Sequence, residues 1–525
     1  EESIFEVNVT VRNQGYPQRE FDIIIEEEDT VVASQTVPAG KSQTAQRYTL
    51  ELTSEDEGSQ VYVVRIPGEE DETVLQNNRR AFLVNKADKS LDVLYIEGHP
   101  RNEYKFIRRA LEGDKTLRLV TYLKTGPQKF LRQGIESPQE LANGFPKKKE
   151  ELYQYAALVL GDISKSFFSA DQLDMIQEFV SERGGGFLML GGSTAFEESF
   201  LGSPIADILP VTLPGQAQLA PQRRDGTGDD KFSLSLTPEG EHTAILRLGP
   251  GGTDNRQLWQ KMPQLQGINV TGPAKPGATV LAVHPTLSLD NEPLPVIAYE
   301  RYGRGRSMVI TTASTWRWQM LLPYEDISHE RFWRQVLRWL AAPAPSPVEL
   351  SLDKDSYGVG EQVNLRVRVS NRAYAPVNDA TVWLKLTDSA GTIQDIQLEG
   401  SIDDQGIYTG TFKVRAVGVH TIEVTATPPS GEAQKASTRF LVAEPIAEFI
   451  DAGLDADLLK TMADVSGGKF YTEIDVEELM KNLKRREKVV TASVEQDIWH
   501  MPIILFLLVG LFALEWLIRR RKGLS

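Results

Sequence analysis

Ser193 stands on a tight turn, after Gly191-Gly192 and before Thr194-Ala195-Phe196. The apolar run Phe187-Leu188-Met189-Leu190 leads straight into it. A serine so placed becomes a nucleophile when an imidazole takes its proton and a carboxylate holds the imidazole. The groups available for those roles end other strand-like runs. Glu97 and His99 follow Leu91-Asp92-Val93-Leu94-Tyr95-Ile96, Asp162 follows Ala156-Ala157-Leu158-Val159-Leu160-Gly161, and Ser314 follows Val309-Ile310-Thr311-Thr312. In an open parallel sheet the carboxyl ends of the strands form one crevice. Ser193 and His99 are therefore the candidate catalytic pair, and Glu97, Asp162, Gly192, Ser193 and Ser314 the candidate ligand-binding set. The motif departs from the nucleophile elbow Gly-x-Ser-x-Gly, because Gly191 and Ala195 flank the serine. His99 precedes the serine, and His284 and His329 have no acidic motif beside them. A glycine-rich strand-to-helix turn without catalysis is the plainer reading.

The elements that position these residues alternate between strand and helix. A helical face of Phe106, Ile107, Ala110 and Leu111 follows the first run and stops at Gly113. Leu117–Tyr122 is the next strand. Ser169 and Gln172 form a capping box ahead of the face Leu173, Ile176, Phe179 and Val180. Val309–Thr312 is a late strand, and Ser328–Leu340 a closing helix with Phe332, Trp333, Val336, Leu337 and Leu340 inward. Such alternation predicts a parallel sheet with helices on both faces. Tyr302-Gly303-Arg304-Gly305-Arg306 reads as a hairpin turn, and Trp316 and Trp318 as packing under the sheet. Asp225-Gly226-Thr227-Gly228-Asp229-Asp230 lacks the spacing of a calcium loop, and Lys147-Lys148-Lys149 opens a surface helix.

On either side the rhythm changes to period two. Phe5, Val7, Val9 and Val11 alternate with polar residues, as do Phe21, Ile23 and Ile25. Turn signals at Asn13-Gln14-Gly15 and Pro38-Ala39-Gly40 separate such runs, which predicts a β-sandwich. A second copy lies downstream, where Leu365–Tyr374 repeats the apolar, Asn and Tyr positions of Val7–Tyr16. Ala342-Pro343-Ala344-Pro345-Ser346-Pro347 is a stiff linker into it.

The chain of 525 residues is too long for one core. Its net charge of -16 argues against a nucleic-acid partner. The absence of cysteine excludes disulfides, thiolate metal sites and a cysteine nucleophile. From Met501 to Ile518 the chain is apolar apart from Glu515, about the 18 residues that span a bilayer. Trp499 and Trp516 sit at its ends, and Arg519-Arg520-Arg521-Lys522 follow. The positive-inside rule places that basic tail in the cytoplasm and the bulk of the chain outside it. Such a topology calls for an upstream signal or an earlier span.

Leu91–Pro100, Tyr155–Asp162, Gly184–Phe196 and Pro204–Val211 together resemble the class I glutamine amidotransferase-like fold of bacterial membrane proteins. The resemblance implies a flavodoxin-like α/β domain with a cysteine on the elbow after Phe187–Leu190. No cysteine exists, so glutamine hydrolysis is not carried over to any residue. The flanking sandwiches resemble immunoglobulin-like (CARDB-type) modules of bacterial surface proteins. Leu458–Tyr471 is similar to the closing segment of von Willebrand factor A proteins from aerotolerance-type operons. That similarity implies partners of that class and a MoxR-type ATPase system, without the Asp-x-Ser-x-Ser metal motif.

The expected architecture is a β-sandwich at 1–88, an α/β domain at 89–342 with an irregular insertion about 204–300, and a second β-sandwich at 347–443. A small helix-and-strand segment at 444–490, a stalk at Glu487–Gln496, a transmembrane helix at 498–518 and a tail at 519–525 complete it. The expected function is a scaffold in the bacterial inner membrane with a pseudoenzyme domain, its bulk periplasmic, with lipid and membrane proteins as partners and no cofactor. A serine hydrolase using Ser193 and a ligand-binding sensor at the crevice are the alternatives.

Overall fold

The computed structural model describes residues 3–13, 20–38, 45–54, 59–69, 72, 74–85, 90–127, 129–213, 215, 231–249, 254–289, 291–429, 431–444, 456–482 and 501–523. The Asp225–Asp230 loop, Trp499, the stalk and the Gln14-Gly15 and Ala39-Gly40 turn signals lie outside the described residues. The chain divides into two compact units, Glu1–Asp451 and Ala452–Ser525.

A nine-stranded sheet occupies the middle of the first unit. Its strands are β1 (Leu91–Glu97), β2 (Leu117–Gly126), β3 (Lys129–Gln133), β4 (Ala157–Leu160), β5 (Gly186–Leu190), β6 (Ser235–Leu236), β7 (Thr279–Leu289), β8 (Glu292–Tyr302) and β9 (Gly305–Ile310). The spatial order is β6-β7-β8-β9-β5-β4-β1-β2-β3. Strands β9, β5, β4, β1 and β2 run parallel. Alternation divides each of them between two apolar cores. Val93, Tyr95, Val159, Leu188 and Leu190 face one, and Leu94, Ile96, Leu158, Phe187 and Met189 the other. Both faces are apolar because helices cover both. Helices α1 (Asn102–Ala110) and α4 (Ser328–Ala341) cover the first face, and α2 (Ala170–Ser181) the second. The capping box is present: Ser169 Oγ accepts from Gln172 N–H at 3.2 Å, and Gln172 Oε1 accepts from Ser169 N–H at 3.0 Å.

The sheet is mixed rather than parallel. Strand β3 adds antiparallel to β2, and β6, β7 and β8 add antiparallel beyond β9. The cause is the length of the connections, since antiparallel neighbours need only a hairpin and parallel ones a long crossover. Tyr302 pairs with Gly305, so two residues, Gly303 and Arg304, turn the chain back as the sequence implied. Gly303 has φ +60°, and a Cβ there would meet Ser181 O at 2.4 Å. Part of the stretch expected to be irregular, 279–300, thus belongs to the main sheet.

The flanking regions are β structures, antiparallel except where Ser356–Gly358 pairs parallel with Leu441–Ala443. Before the α/β region, a four-stranded sheet and the ribbon Ser3–Arg12 with Ala45–Ser54 enclose Ile23, Ile25, Leu50, Leu52 and Tyr62. After it, sheets of four and five strands enclose Val363, Leu365, Val367, Val382 and Leu384. In the second unit, Ala456–Val465, Val476–Asn482 and Pro502–Arg521 are helical. The last has 20 residues and is long and apolar enough to cross a membrane.

Candidate functional site

The carboxyl ends of β1, β4 and β5 do meet, and the group at their centre is Asp162. Its side chain is 3% exposed and caps the turn after β5. Oδ2 accepts the Ser193 N–H at 2.9 Å and the Ser193 hydroxyl at 2.8 Å. Oδ1 accepts the Thr194 N–H at 2.5 Å and the Thr194 hydroxyl at 2.8 Å. Burial alone would raise the Asp162 pKa. The hydrogen bonds from Thr194 and Ser193 outweigh it, and the carboxyl lies below its ordinary value. The preceding N–H of the turn, from Gly192, donates to Asn269 Oδ1 at 2.9 Å, and Asn269 Nδ2 donates back to Gly192 O at 2.8 Å. Three successive turn N–H groups therefore have partners within the protein. A free pair of such N–H groups is what binds an oxyanion in acyl transfer.

His99 is half-exposed, with Nδ1 3.6 Å from Asp162 Oδ2. Ser193 and His99 thus both approach the same carboxylate oxygen, Asp162 Oδ2. The order is serine, acid, histidine, whereas nucleophilic activation needs the imidazole between the other two. Among the described residues no hydrogen bond joins Ser193 to His99. A serine whose proton points at a carboxylate of lowered pKa has a weak base as its partner.

Glu97 is buried and saturated. It accepts from Tyr95 OH at 2.7 Å, Gly98 N–H at 3.1 Å, Arg101 Nε at 2.9 Å and Asp162 N–H at 2.9 Å. Arg101 also donates through Nη1 to Gly191 O at 2.6 Å, tying β1 to the β5 turn. Burial disfavours the guanidinium charge, but Glu97, Tyr95 and Glu103 outweigh it and raise the Arg101 pKa. The crossing of the two loops requires glycine. A Cβ on Gly98 would lie 1.8 Å from Asp162 O, and one on Gly192 would lie 2.4 Å from Asp162 Cγ.

Ser314 belongs to a neighbouring loop. Its Oγ accepts from Gln266 N–H at 2.9 Å and lies 2.9 Å from Thr312 Oγ1. Trp318 is buried as expected, and its Nε1 donates to Pro263 O at 3.0 Å. Sequence reasoning missed Asn269, Arg101 and Glu103. Asn269 carries no local signal, because it lies in an irregular stretch 77 residues from its partner. Glu103 is visible as an acid in the first turn of α1. It is 1% exposed and accepts from the Thr315 hydroxyl and, at 3.1 Å, the Trp316 N–H. Burial pushes its carboxyl up to about 7, against the lowering effect of the Thr315 hydrogen bond.

Cavities of about 870 and 900 Å³ lie away from these strand ends. Phe232, Trp259 and His284 line one, and Glu6, Glu51 and Arg247 the other.

An α/β sheet with its strand ends closed by Asp162 defines the class of architecture. Residues 135–342 match the model of a family described as "Putative glutamine amidotransferase". No curated protein matches the chain. Among solved structures, the cytoplasmic protein STM1381 from Salmonella typhimurium LT2 is 18% identical, with TM-score 0.31, over 48% of this chain and 100% of its own. The cytoplasmic protein STM3548 from Salmonella typhimurium is 18% identical, with TM-score 0.28, over 48% and 99%. The CARDB domain of the PF1109 protein from Pyrococcus furiosus is 17% identical, with TM-score 0.14, over 18% and 85%.

Proposed function

We propose that this chain is a membrane-anchored interaction protein of the bacterial inner membrane whose amidotransferase-like domain is a non-catalytic scaffold. The observation that carries the reading is the capture of the β5 turn by Asp162. The hydroxyl of Ser193 and the N–H groups of Ser193 and Thr194 all bind that carboxylate, where an enzyme would keep a nucleophile and an oxyanion site free. The absence of cysteine supports the same reading, since the resembled chemistry runs through a thiolate. The helix Pro502–Arg521, ending in three arginines, supports anchoring with the ectodomain outside the cytoplasm. The partners in this reading are other membrane proteins, with von Willebrand factor A proteins and a MoxR-type ATPase as the class implied by Leu458–Tyr471.

The full chain in detergent tests the catalytic half of the reading. The expected result is no glutamine hydrolysis and no labelling by a fluorophosphonate serine probe. Labelling that disappears in Ser193→Ala would instead establish the hydrolase. The anchoring half is tested by carbonate extraction of membranes: the full chain stays in the pellet, and a chain ended before Met501 is released.

A further inference from the structure

Among the described residues, the apolar core of the first sandwich draws all its members from 5–84 and shares none with the α/β region. Charge joins the two instead. Glu6 and Glu51 stand directly opposite each other where Ser3–Arg12 pairs with Ala45–Ser54. Like charges so placed repel. The Arg247 guanidinium of the α/β region reaches both, with Nη1 2.6 Å from Glu6 Oε1 and 3.7 Å from Glu51 Oε1. Its support is fixed, because Ile245, Leu246 and Leu248 on either side are buried in the α/β core. Asn255 bonds Leu246 O and the Leu248 N–H, each at 3.0 Å. The nearby Arg256, on helix α3 (Asn255–Lys261), is taken by both carboxylate oxygens of Glu241. Around Arg247 the two surfaces line the cavity of about 900 Å³ rather than share a core. The second sandwich is held differently, since Tyr374 packs against the α/β core and lies on the Arg183 guanidinium.

We infer that the first sandwich is a movable arm, clipped to the α/β region by Arg247 between Glu6 and Glu51. The three side chains are 33%, 42% and 24% exposed. Ion pairs that water reaches are weak, and salt weakens them further. Two regions that share no apolar core move relative to one another by default. Asn85 marks the pivot: its Nδ2 donates to Arg439 O of the second sandwich at 2.8 Å, and the chain passes from there into β1. Release of the clip parts Glu6 and Glu51 from Arg247 and opens the cavity that the two surfaces line. The second sandwich stays in place, because its contact is apolar and aromatic.

The chain contains no cysteine, so introduced thiols alone carry spin labels. Gln35→Cys with His242→Cys sets one label on each side of the cavity. Glu182→Cys with Ile402→Cys spans the α/β region and the second sandwich as a control, both sites being exposed. Distances are read by double electron–electron resonance on the full chain in detergent. At about 0.1 M salt the first pair is expected to give one short, narrow distance, and at about 1 M a longer, broad component grows. The share of that component should rise about fivefold, the effect of losing one modest interaction. Arg247→Glu should produce the same component at low salt, and Arg247→Glu with Glu6→Arg should restore the narrow distance. The control pair should hold its distance throughout. A narrow distance in Arg247→Glu at both salt concentrations would overturn the inference, as would a broad one in the parent at low salt. So would an exchange that restores nothing, or a control pair that moves together with the first.

Discussion

Asp162 Oδ2 accepts both the backbone N–H and the hydroxyl of Ser193, at 2.9 and 2.8 Å. One carboxylate oxygen thereby fixes the residue that, on position alone, is the obvious nucleophile. With Oδ1 on Thr194, Asp162 acts as a clasp between the β4 and β5 loops. An ionised acceptor in four hydrogen bonds is a strong structural element.

The clasp has a pH signature. The Asp162 carboxyl is depressed in the folded state, so its stabilisation is present above the unfolded value of 3.8 and is lost as pH falls through the folded value. Asp162→Asn should destabilise the protein by about 1–3 kcal/mol at pH 7, because its amide turns donors toward donors. Urea denaturation at pH 7 and pH 3 should show the difference between the two proteins shrinking at the lower pH. Ser193→Ala removes one hydroxyl and should cost only about 1 kcal/mol.

Glu103 titrates in the opposite sense. Its folded value is raised from 4.5 to about 7, so the favourable contribution is present below pH 4.5 and is lost as pH rises through 7. Its full size is on the order of 3 kcal/mol. Glu103→Gln should remove that slope, and denaturation midpoints between pH 5 and pH 8 should vary less than in the parent. An unchanged slope would show that another group carries it.

Gly98→Ala should be among the most damaging changes in the α/β region. The added Cβ would meet the Asp162 carbonyl oxygen, a backbone atom, at 1.8 Å. Relief requires moving β1 from β4, at a cost of about 3 kcal/mol or more. Circular dichroism melts of the protein should drop by several degrees.

Arg183 joins the α/β region to the second sandwich. Its guanidinium lies 4.3 Å from the Tyr374 ring centroid, Nη2 donates to Tyr374 OH at 3.0 Å, and Nε donates to Tyr153 O at 3.2 Å. Tyr374→Phe should cost about 1 kcal/mol and keep the docking. Arg183→Ala loses the stacking as well, and should make the linker 342–347 cleavable under limited proteolysis.

Much of the fold is legible in the sequence because its signals are local. The apolar run Phe187–Leu190, the Ser169–Gln172 capping box and the stop at Gly113 each depend on residues a few positions apart. The repeat of Val7–Val11 at Leu365–Val369 and the terminal apolar helix are local in the same sense. The candidate site was legible only as a list of strand ends. Ser193 and Asp162 stood on that list, but nothing near either residue says that one hydrogen-bonds the other.

The sequence by itself thus determined the alternation of elements, the two-faced apolar strands, the terminal helix and the lack of any thiol. Local periodicity, capping and composition carry that information without reference to distant residues. Only the tertiary structure decided the antiparallel extension beyond β8 through β7 and β6, the union of Asp162 with Ser193 and Thr194, and the place of Asn269 on Gly192. Those pairs lie 31 to 77 residues apart, and they meet because the sheet brings its strand ends together. Asp162 itself is buried and has no water to turn to, so its carboxylate had to find donors within the protein. That requirement, acting at Asp162, placed a clasp where the sequence had suggested a nucleophile.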